Sequence, residues 1–399
     1  MARKFSPSGA ASLRVAVDVR SLVEPEPRGF ARYTRALVEH LAARESLDLV
    51  AVSDLSPTAE LAVSTELVRG RSEVAREQVL LPRLLRRLRA DVLVAPANRG
   101  LPLMSPCPTV LVLHDAVEWD RALVPRPRGK SAIRFAYSSV ASLAGATLVV
   151  AVSAHAADEI ERRLHVDRRR IRIVPEGPGE RFGRQPTAGE IAASLERFGI
   201  RRPFILSVGG FDAKKDVSTL VRAFAQLPAS ETELLFAGSL AQGDGGVMAL
   251  AAALGVADRV RLLGRVGDDE LLALYRTCAC FAFAGPREGF GLPVAEALAA
   301  GAPVVAAAAG AVPEVTAGAA RLFAAGDPAA AAREIAAVLG SESERARLHA
   351  AGLARRSELS WSAAAAQFED VLWEAANVTV AERATAALRA LPAALRGMR

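Results

Sequence analysis

The chain has 399 residues, 51% hydrophobic, 24% charged and 5% aromatic, which is globular composition and excludes a disordered chain. At about 150 residues per domain the length predicts two or three domains, each able to bury a core, and three cysteines exclude a disulfide framework and agree with a reducing compartment. The net charge is +6, and with 29 basic against 21 acidic residues up to Arg184 the excess lies in the first half, suiting an anionic partner without identifying one. Residues 1–12 are short, polar and basic, with no apolar core, and are not expected to act as a signal peptide.

The pattern predicts a strand over 13–19 and an amphipathic helix over 29–43 after a Gly-containing loop. Strands follow over 49–52, 92–95, 109–113 and 147–152, with helices over 78–89 and 130–143. Several of these strands are apolar on consecutive positions, as in a parallel sheet buried on both faces. Residues 135–157 hold no Asp, Glu, Lys or Arg, but Ser138, Ser139, Ser142, Gly145, Thr147, Ser153 and His155 interrupt them. A helix ending near Gly145 and then a strand is expected there, rather than a membrane span. A loop-rich link over 176–203, with a helix over 190–198, leads to a second series. It has strands over 204–208, 233–237, 260–263, 280–283 and 303–306, and helices over 217–227, 247–253, 268–277, 293–300 and 329–339. Two β-α-β series imply an α/β chain of two doubly wound domains, 1–190 and 200–360, followed by helices over 361–399. Ligands of such sheets bind beyond the C-terminal ends of the strands, so two facing domains would hold one in a cleft. The expected location is cytoplasmic, with peripheral contact at the inner face of an anionic membrane left open.

The most specific stretch is FAFAGPREGFGLPVAE, residues 281–296. A strand runs into a loop, and a helix is expected from Pro293, the favoured first helical position. Glu288 lies in the loop and Glu296 in the first turn, so both can face one ligand. Gly289 and Gly291 let backbone amides approach it. The helix start offers N–H groups and partial positive charge to an anion such as a diphosphate, and a carboxylate can accept from a sugar's vicinal hydroxyls. Singly, Glu296 could merely complement the helix dipole and Glu288 could be solvated; the whole arrangement favours a site. In SVGGFDAKKD, residues 207–216, Gly209 and Gly210 follow a strand, and Lys214 and Lys215 offer compact positive charge to a leaving diphosphate. A solvated turn is the ordinary alternative for a lysine pair. His114 ends the apolar run TVLVLHD and should emerge at the strand end, or else be a satisfied histidine tied to a backbone carbonyl. Asp115 and His155 are weaker candidates. The basic run Arg83, Arg86, Arg87 and Arg89 reads as a solvated face or a surface for anionic lipid. Cys278 and Cys280 have no partner pair in zinc spacing, and no metal is expected.

Glu288 and Glu296, with GFGLPVA between them, resemble the E-x7-E motif of retaining GT-B glycosyltransferases of family 4. SVGGFDAKKDVSTLVRAF (207–224) resembles that family's phosphate loop and following helix. GAPVVAAAAGAVPEV (301–315) resembles its next strand and loop, and WSAAAAQFEDVL (361–372) its closing helix. DVRSLVEPEPRGFARYTRAL, VLVLHD, VVAVSAHAADEI and IRIVPEGPGERF are similar to its N-terminal landmarks. The resemblance spans roughly residues 13–375. It implies the GT-B fold: an N-terminal Rossmann-like acceptor domain, a C-terminal Rossmann-like nucleotide-sugar domain facing it, and a C-terminal helix crossing back.

The implied activity is retaining transfer of a hexose, mannose first, from a nucleoside diphosphate sugar to a hydroxyl of a glycan or lipid-linked saccharide. GDP-mannose is the favoured donor and a UDP-sugar the other; no tightly bound cofactor, metal or nucleic acid is implied. By the same resemblance Glu296 holds ribose hydroxyls, while Glu288 holds sugar hydroxyls and steadies charge at the reacting carbon. Lys215 and the helix start stabilise the diphosphate, and His114 approaches the transferred sugar. Gly209, Gly210, Lys214, Gly289, Phe290, Gly291 and Leu292 line the donor, Gly29 reaches its phosphates through backbone, and Glu314 lies in the loop lining the nucleotide or is a surface cap. Gly210 stands where the family often has arginine, which leaves Arg287, Arg28 or Arg32 to contribute. A small natural product is the other acceptor class. A nucleotide-sugar epimerase or a non-enzymatic nucleotide-sugar-binding protein are the rival functions. A Rossmann oxidoreductase would want G-x-G-x-x-G after the first strand, where SLVEPEPRG stands.

Overall fold

The computed structural model describes residues 12–23, 29–58, 60–70, 72–116, 129–211, 215–228, 230–240, 244 and 246–397. Two compact units divide the chain: Met1–Glu176 with Trp361–Arg399, and Gly177–Ser360.

In the first unit the described residues form a seven-stranded parallel sheet. Its strands are β1 (Leu13–Asp18), β2 (Leu47–Ser53), β3 (Thr65–Leu67), β4 (Val92–Ala95), β5 (Thr109–Leu113), β6 (Leu148–Ala151) and β7 (Ile171–Ile173), in the order β3-β2-β1-β4-β5-β6-β7. Strands β4, β5 and β6 are buried at every position, which is why their sequences are apolar without alternation. Edge strands β3 and β7 were not expected from the pattern; each has three residues and is only partly buried, too short to show a period. The helix expected over 78–89 begins earlier, where Ser72 accepts from the Ala75 N–H. It passes through a π-turn at Arg76–Leu80 before regular helix at Leu81–Leu88. The uncharged run over 135–157 resolves into the helix Lys130–Gly145, then β6 and the start of the helix Ala154–Leu164. No helix among the described residues is long and apolar enough to cross a membrane. The helix Trp361–Ala376 belongs to this unit: Trp361 meets Tyr33 edge-on at 5.2 Å, and Arg44 Nε donates to Glu369 at 2.5 Å.

In the second unit the described residues form a six-stranded parallel sheet. Its strands are β8 (Phe204–Val208), β9 (Glu233–Ala237), β10 (Val260–Gly264), β11 (Cys280–Phe283), β12 (Val304–Ala307) and β13 (Ala320–Phe323), in the order β10-β9-β8-β11-β12-β13. Ile205, Leu234, Phe236, Ala282 and Val305 pack with Leu220 and Phe224 of the helix Val217–Phe224 and Ile335 of the helix Pro328–Leu339. Strand β13 and the helix Glu342–Arg356 were missed: along that 15-residue helix only Leu348 and Gly352 are buried, so no apolar stripe marks it.

The segment 177–190, assigned from sequence to the first domain, lies in the second unit. Phe182 is fully buried and meets Tyr275 edge-on at 5.8 Å. Arg184 donates to Glu190 at 2.8 Å and to Asp269 at 3.3 Å. Thr187 and Glu190 form a capping box opening the helix Ala188–Arg197. Thr187→Ala should lower stability by about 1 kcal/mol, read as a small fall in the denaturation midpoint with an unchanged slope.

In each sheet the strand order reverses once, between β1 and β4 and between β8 and β11. The loops leaving those strands at their C-terminal ends are where such sheets hold ligands.

Candidate functional site

In the second unit, the loops after β8 and β11 bring two expected residues into contact. Lys215 Nζ donates to Glu288 Oε1 at 2.6 Å, with both side chains largely withdrawn from solvent. The ammonium also lies 5.5 Å from the centre of the Phe283 ring, within cation–π range.

Glycines make the contact possible. Gly209 has φ +145°, and a Cβ there would lie 3.5 Å from Lys215 Cδ and Cε: the lysine stem runs over the place where a side chain would stand. A Cβ on Gly285 would meet the Phe283 ring at 2.9 Å and Glu288 Oε1 at 3.0 Å. On the far side, the Ala311 N–H donates to the Glu288 carbonyl at 2.9 Å. Gly310, at φ +59°, keeps that approach open, since a Cβ would meet Glu288 N and O at 2.7 and 2.6 Å. Glu288 is thus held by its backbone from β12's loop and by its carboxylate from β8's.

The helix after Glu288 is Leu292–Ala300, not one starting at Pro293. Gly291 takes the N-cap position at φ +90° with no side-chain cap, and Pro293 is the second helical residue. That helix start lies at the topological switch between β8 and β11; Pro293 has no N–H, and the Val294 and Ala295 N–H groups donate to the Gly291 carbonyl at 2.9 and 3.2 Å, so what it offers an anion is the positive end of its dipole. Glu296 is therefore one residue further into the helix than expected. It is 3% exposed, and its Oε2 accepts from Tyr275 Oη at 3.3 Å. Gly289 and Phe290 are buried, while Leu292, Gly210 and Gly209 are half-buried at the surface of the same loops. Arg287 and Glu314 are exposed, Glu314 in the first turn of the short helix Val312–Thr316. Lys214 and Arg28 lie outside the described residues.

In the first unit, His114 follows β5, but it is buried at 9% exposure rather than emerging from the strand end. Phe30 and Tyr33 of the helix Gly29–Ala42 close over the ring, with centroids at 4.9 and 4.5 Å. Nδ1 lies 2.8 Å from Glu176 Oε1 and Nε2 lies 2.9 Å from the Pro96 carbonyl oxygen. The His114 N–H donates to Asn98 Oδ1 at 3.0 Å, with Asn98 held in the left-handed region. Burial pulls the imidazole's pKa down; the hydrogen bond and charge of Glu176, the Pro96 carbonyl and Asp115 outweigh it and leave it raised. The satisfied-histidine reading is the geometry observed. Gly29 is the exposed first residue of its helix and has open space around a Cβ. No group of three His, Cys, Asp and Glu side chains among the described residues is clustered as for a metal ion.

Residues 27–177 match the family model described as Glycosyltransferase Family 4, and residues 195–355 match that of Glycosyl transferases group 1. The chain belongs to the family 4, group 1 glycosyltransferases. Within that family it is 30% identical over 207 residues to the serotype-specific mannosyltransferase WbdA of Escherichia coli, covering 49% of this chain and 25% of WbdA. It is 32% identical over 262 residues to a D-inositol 3-phosphate glycosyltransferase of Xylanimonas cellulosilytica, covering 63% of this chain and 61% of that protein. The chain thus spans a quarter of the one relative and about three-fifths of the other. A glycosyltransferase of Rickettsia africae superposes with a TM-score of 0.72 at 16% identity, over 92% of this chain and 100% of that one. HepE of Anabaena, solved with UDP and glucose, gives 0.70 at 17% identity over 90% and 99%. The fold is that of the GT-B glycosyltransferases.

Four contributors were missing from the sequence reading of this family 4 chain: Glu176, Tyr275, Gly238 and Gly310. Glu176 stands in IRIVPEGPGERF, a stretch similar to a family landmark in which no role was read for the glutamate itself. Tyr275 looks like a core position of its helix. Gly238 and Gly310 each follow a strand by one to three residues, the one signal available for them.

Proposed function

We propose that the protein is a retaining hexosyltransferase that moves mannose from GDP-mannose, or another hexose from a UDP-sugar, to a hydroxyl of a glycan or lipid-linked saccharide. The observation that carries this is the Lys215–Glu288 contact beside the uncapped start of the helix Leu292–Ala300. A cation and the positive end of the helix dipole there suit a departing diphosphate. The carboxylate suits sugar hydroxyls once the ammonium turns to the phosphates. Glu296, carried on the same helix with Tyr275 against it, is assigned to the ribose, and His114 to the transferred sugar. Mannose is preferred because of the likeness to WbdA. We place the protein in the cytoplasm, with glycan assembly as its setting.

A second acceptor class is favoured by one observation. The relatives named for D-inositol 3-phosphate match a longer part of the chain than WbdA does, and the first 184 residues carry the basic excess. A small anionic polyol phosphate would use that charge.

A donor screen tests the reading. GDP-mannose at a hundred times its Kd should stabilise the protein by about 2.7 kcal/mol, visible as a rise in Tm, with slow hydrolysis of the donor. No stabilisation and no hydrolysis with any GDP- or UDP-hexose would overturn it. Transfer to inositol phosphate against transfer to a mannoside then separates the acceptor classes.

A further inference from the structure

Both ring nitrogens of His114 face oxygen atoms that accept hydrogen bonds: a carboxylate at 2.8 Å from Nδ1 and a peptide carbonyl at 2.9 Å from Nε2. A neutral imidazole has one N–H and one lone pair, so beside an ionised Glu176 a neutral ring would press a lone pair against one of those oxygens. The Pro96 carbonyl has no proton to give, which makes Nε2 a donor. We propose that Glu176 is a positioning residue that holds His114 doubly protonated, so that the ring serves the reaction as a fixed element and takes no proton from the acceptor hydroxyl.

The surroundings support this. Glu176 is 3% exposed and reaches the ring from the segment after β7. Asp115 adds negative charge from the histidine's own loop. Tyr33, against the ring from the helix Gly29–Ala42, keeps its phenol neutral, because burial and the Glu176 charge hold its pKa well above the ordinary value. Of these groups Glu176 and Asp115 bring negative charge to the imidazole, and Tyr33 stays neutral beside it. Pro96 and Asn98 pin the ring and its backbone from the end of β4. The ring therefore cannot turn a lone pair outward without losing a buried partner. A histidine so held is unsuited to be the general base. This inference rests on the proposed assignment of His114 to the transferred sugar, and it adds what the ring can and cannot do there.

The experiment uses the full chain with 15N-labelled histidine, His114 being assigned by the signals lost in His114→Gln. Without substrate, both His114 nitrogens should stay in the protonated range through pH 8. A nitrogen unprotonated at pH 7 overturns the proposal. In Glu176→Gln burial is no longer opposed by the carboxylate, and the titration midpoint should fall. With donor and acceptor, wild-type kcat should show no His114 ionisation between pH 6 and 8. Glu176→Gln should lose turnover on the alkaline side and recover it on acidification, with the donor KM unchanged, and Glu176→Asp should restore part of the alkaline rate. If Glu176→Gln folds and keeps the wild-type pH profile, Glu176 is structural only and the proposal falls. If wild type turns over no nucleotide sugar, the functional reading fails instead, while the 15N titration still decides the state of the ring.

Discussion

Lys215→Ala should lower kcat by about 10²–10³-fold, the usual cost of removing one preorganised donor from developing negative charge. The site makes the effect specific. Lys215 is the one lysine among the described residues whose ammonium lies in these loops, and Gly210 supplies no side chain to replace it. Removal also leaves the Glu288 carboxylate, itself only 14% exposed, without its bonded cation. Glu288→Gln should cost a similar factor by removing the acceptor for sugar hydroxyls. Because the two groups hold each other, their losses should not add: the double variant should be nearer to the worse single than to the product. Steady-state kinetics of the three variants, with circular dichroism to confirm folding, decides this. Independent, multiplying losses would mean that the 2.6 Å contact has no part in turnover.

The central strands were legible because their residues form short, nearly continuous apolar runs, and β4, β5 and β11 have their expected bounds. The EGFGLP stretch was legible because glycine, proline and glutamate each have a distinct backbone or charge role. What stayed hidden was of another kind. Glu176 acts through a partner 62 residues away, and nothing local marks it. His114 reads from sequence either as a strand-end group facing outward or as a satisfied histidine; Phe30 and Tyr33, more than 80 residues earlier in the chain, close over it and decide for the buried form. The helix start moved by one residue because Gly291 can take φ +90°, so the cap is a backbone feature that a search for side-chain caps passes over. Segment 177–190 was misassigned for a related reason: its anchors, Phe182 on Tyr275 and Arg184 on Asp269, lie some 85 to 93 residues away in the chain.

Gly238→Ala should cost about 10²-fold in kcat/KM, the penalty of a displacement near 1 Å at a reacting centre, although Gly238 bears no chemistry. It follows β9, and its N–H donates to the Gly264 carbonyl at 2.8 Å. A Cβ there would lie 1.7 Å from the Gly209 carbonyl oxygen and 2.7 Å from its carbon. Those atoms are backbone and cannot swing aside, so the loop after β8 must move. The Lys215 stem lies against Gly209, and the ammonium moves with it, away from Glu288. Overpacking of this kind also destabilises by about 1–3 kcal/mol, so Tm should fall by several degrees. Gly189→Ala, in the helix Ala188–Arg197 and away from the assigned site, is the control: a Cβ there meets nothing within 4 Å, and alanine favours a helix over glycine by about 1 kcal/mol. Its Tm should hold or rise, and its turnover should hold. If Gly238→Ala matches wild type in both, the backbone contact with Gly209 does not set the position of Lys215. If instead Tm falls and kcat/KM holds, the loop relaxes without carrying the lysine, and the register of the donor site lies with the Glu288 side, where Gly310 and the Ala311 N–H fix the carboxylate's backbone.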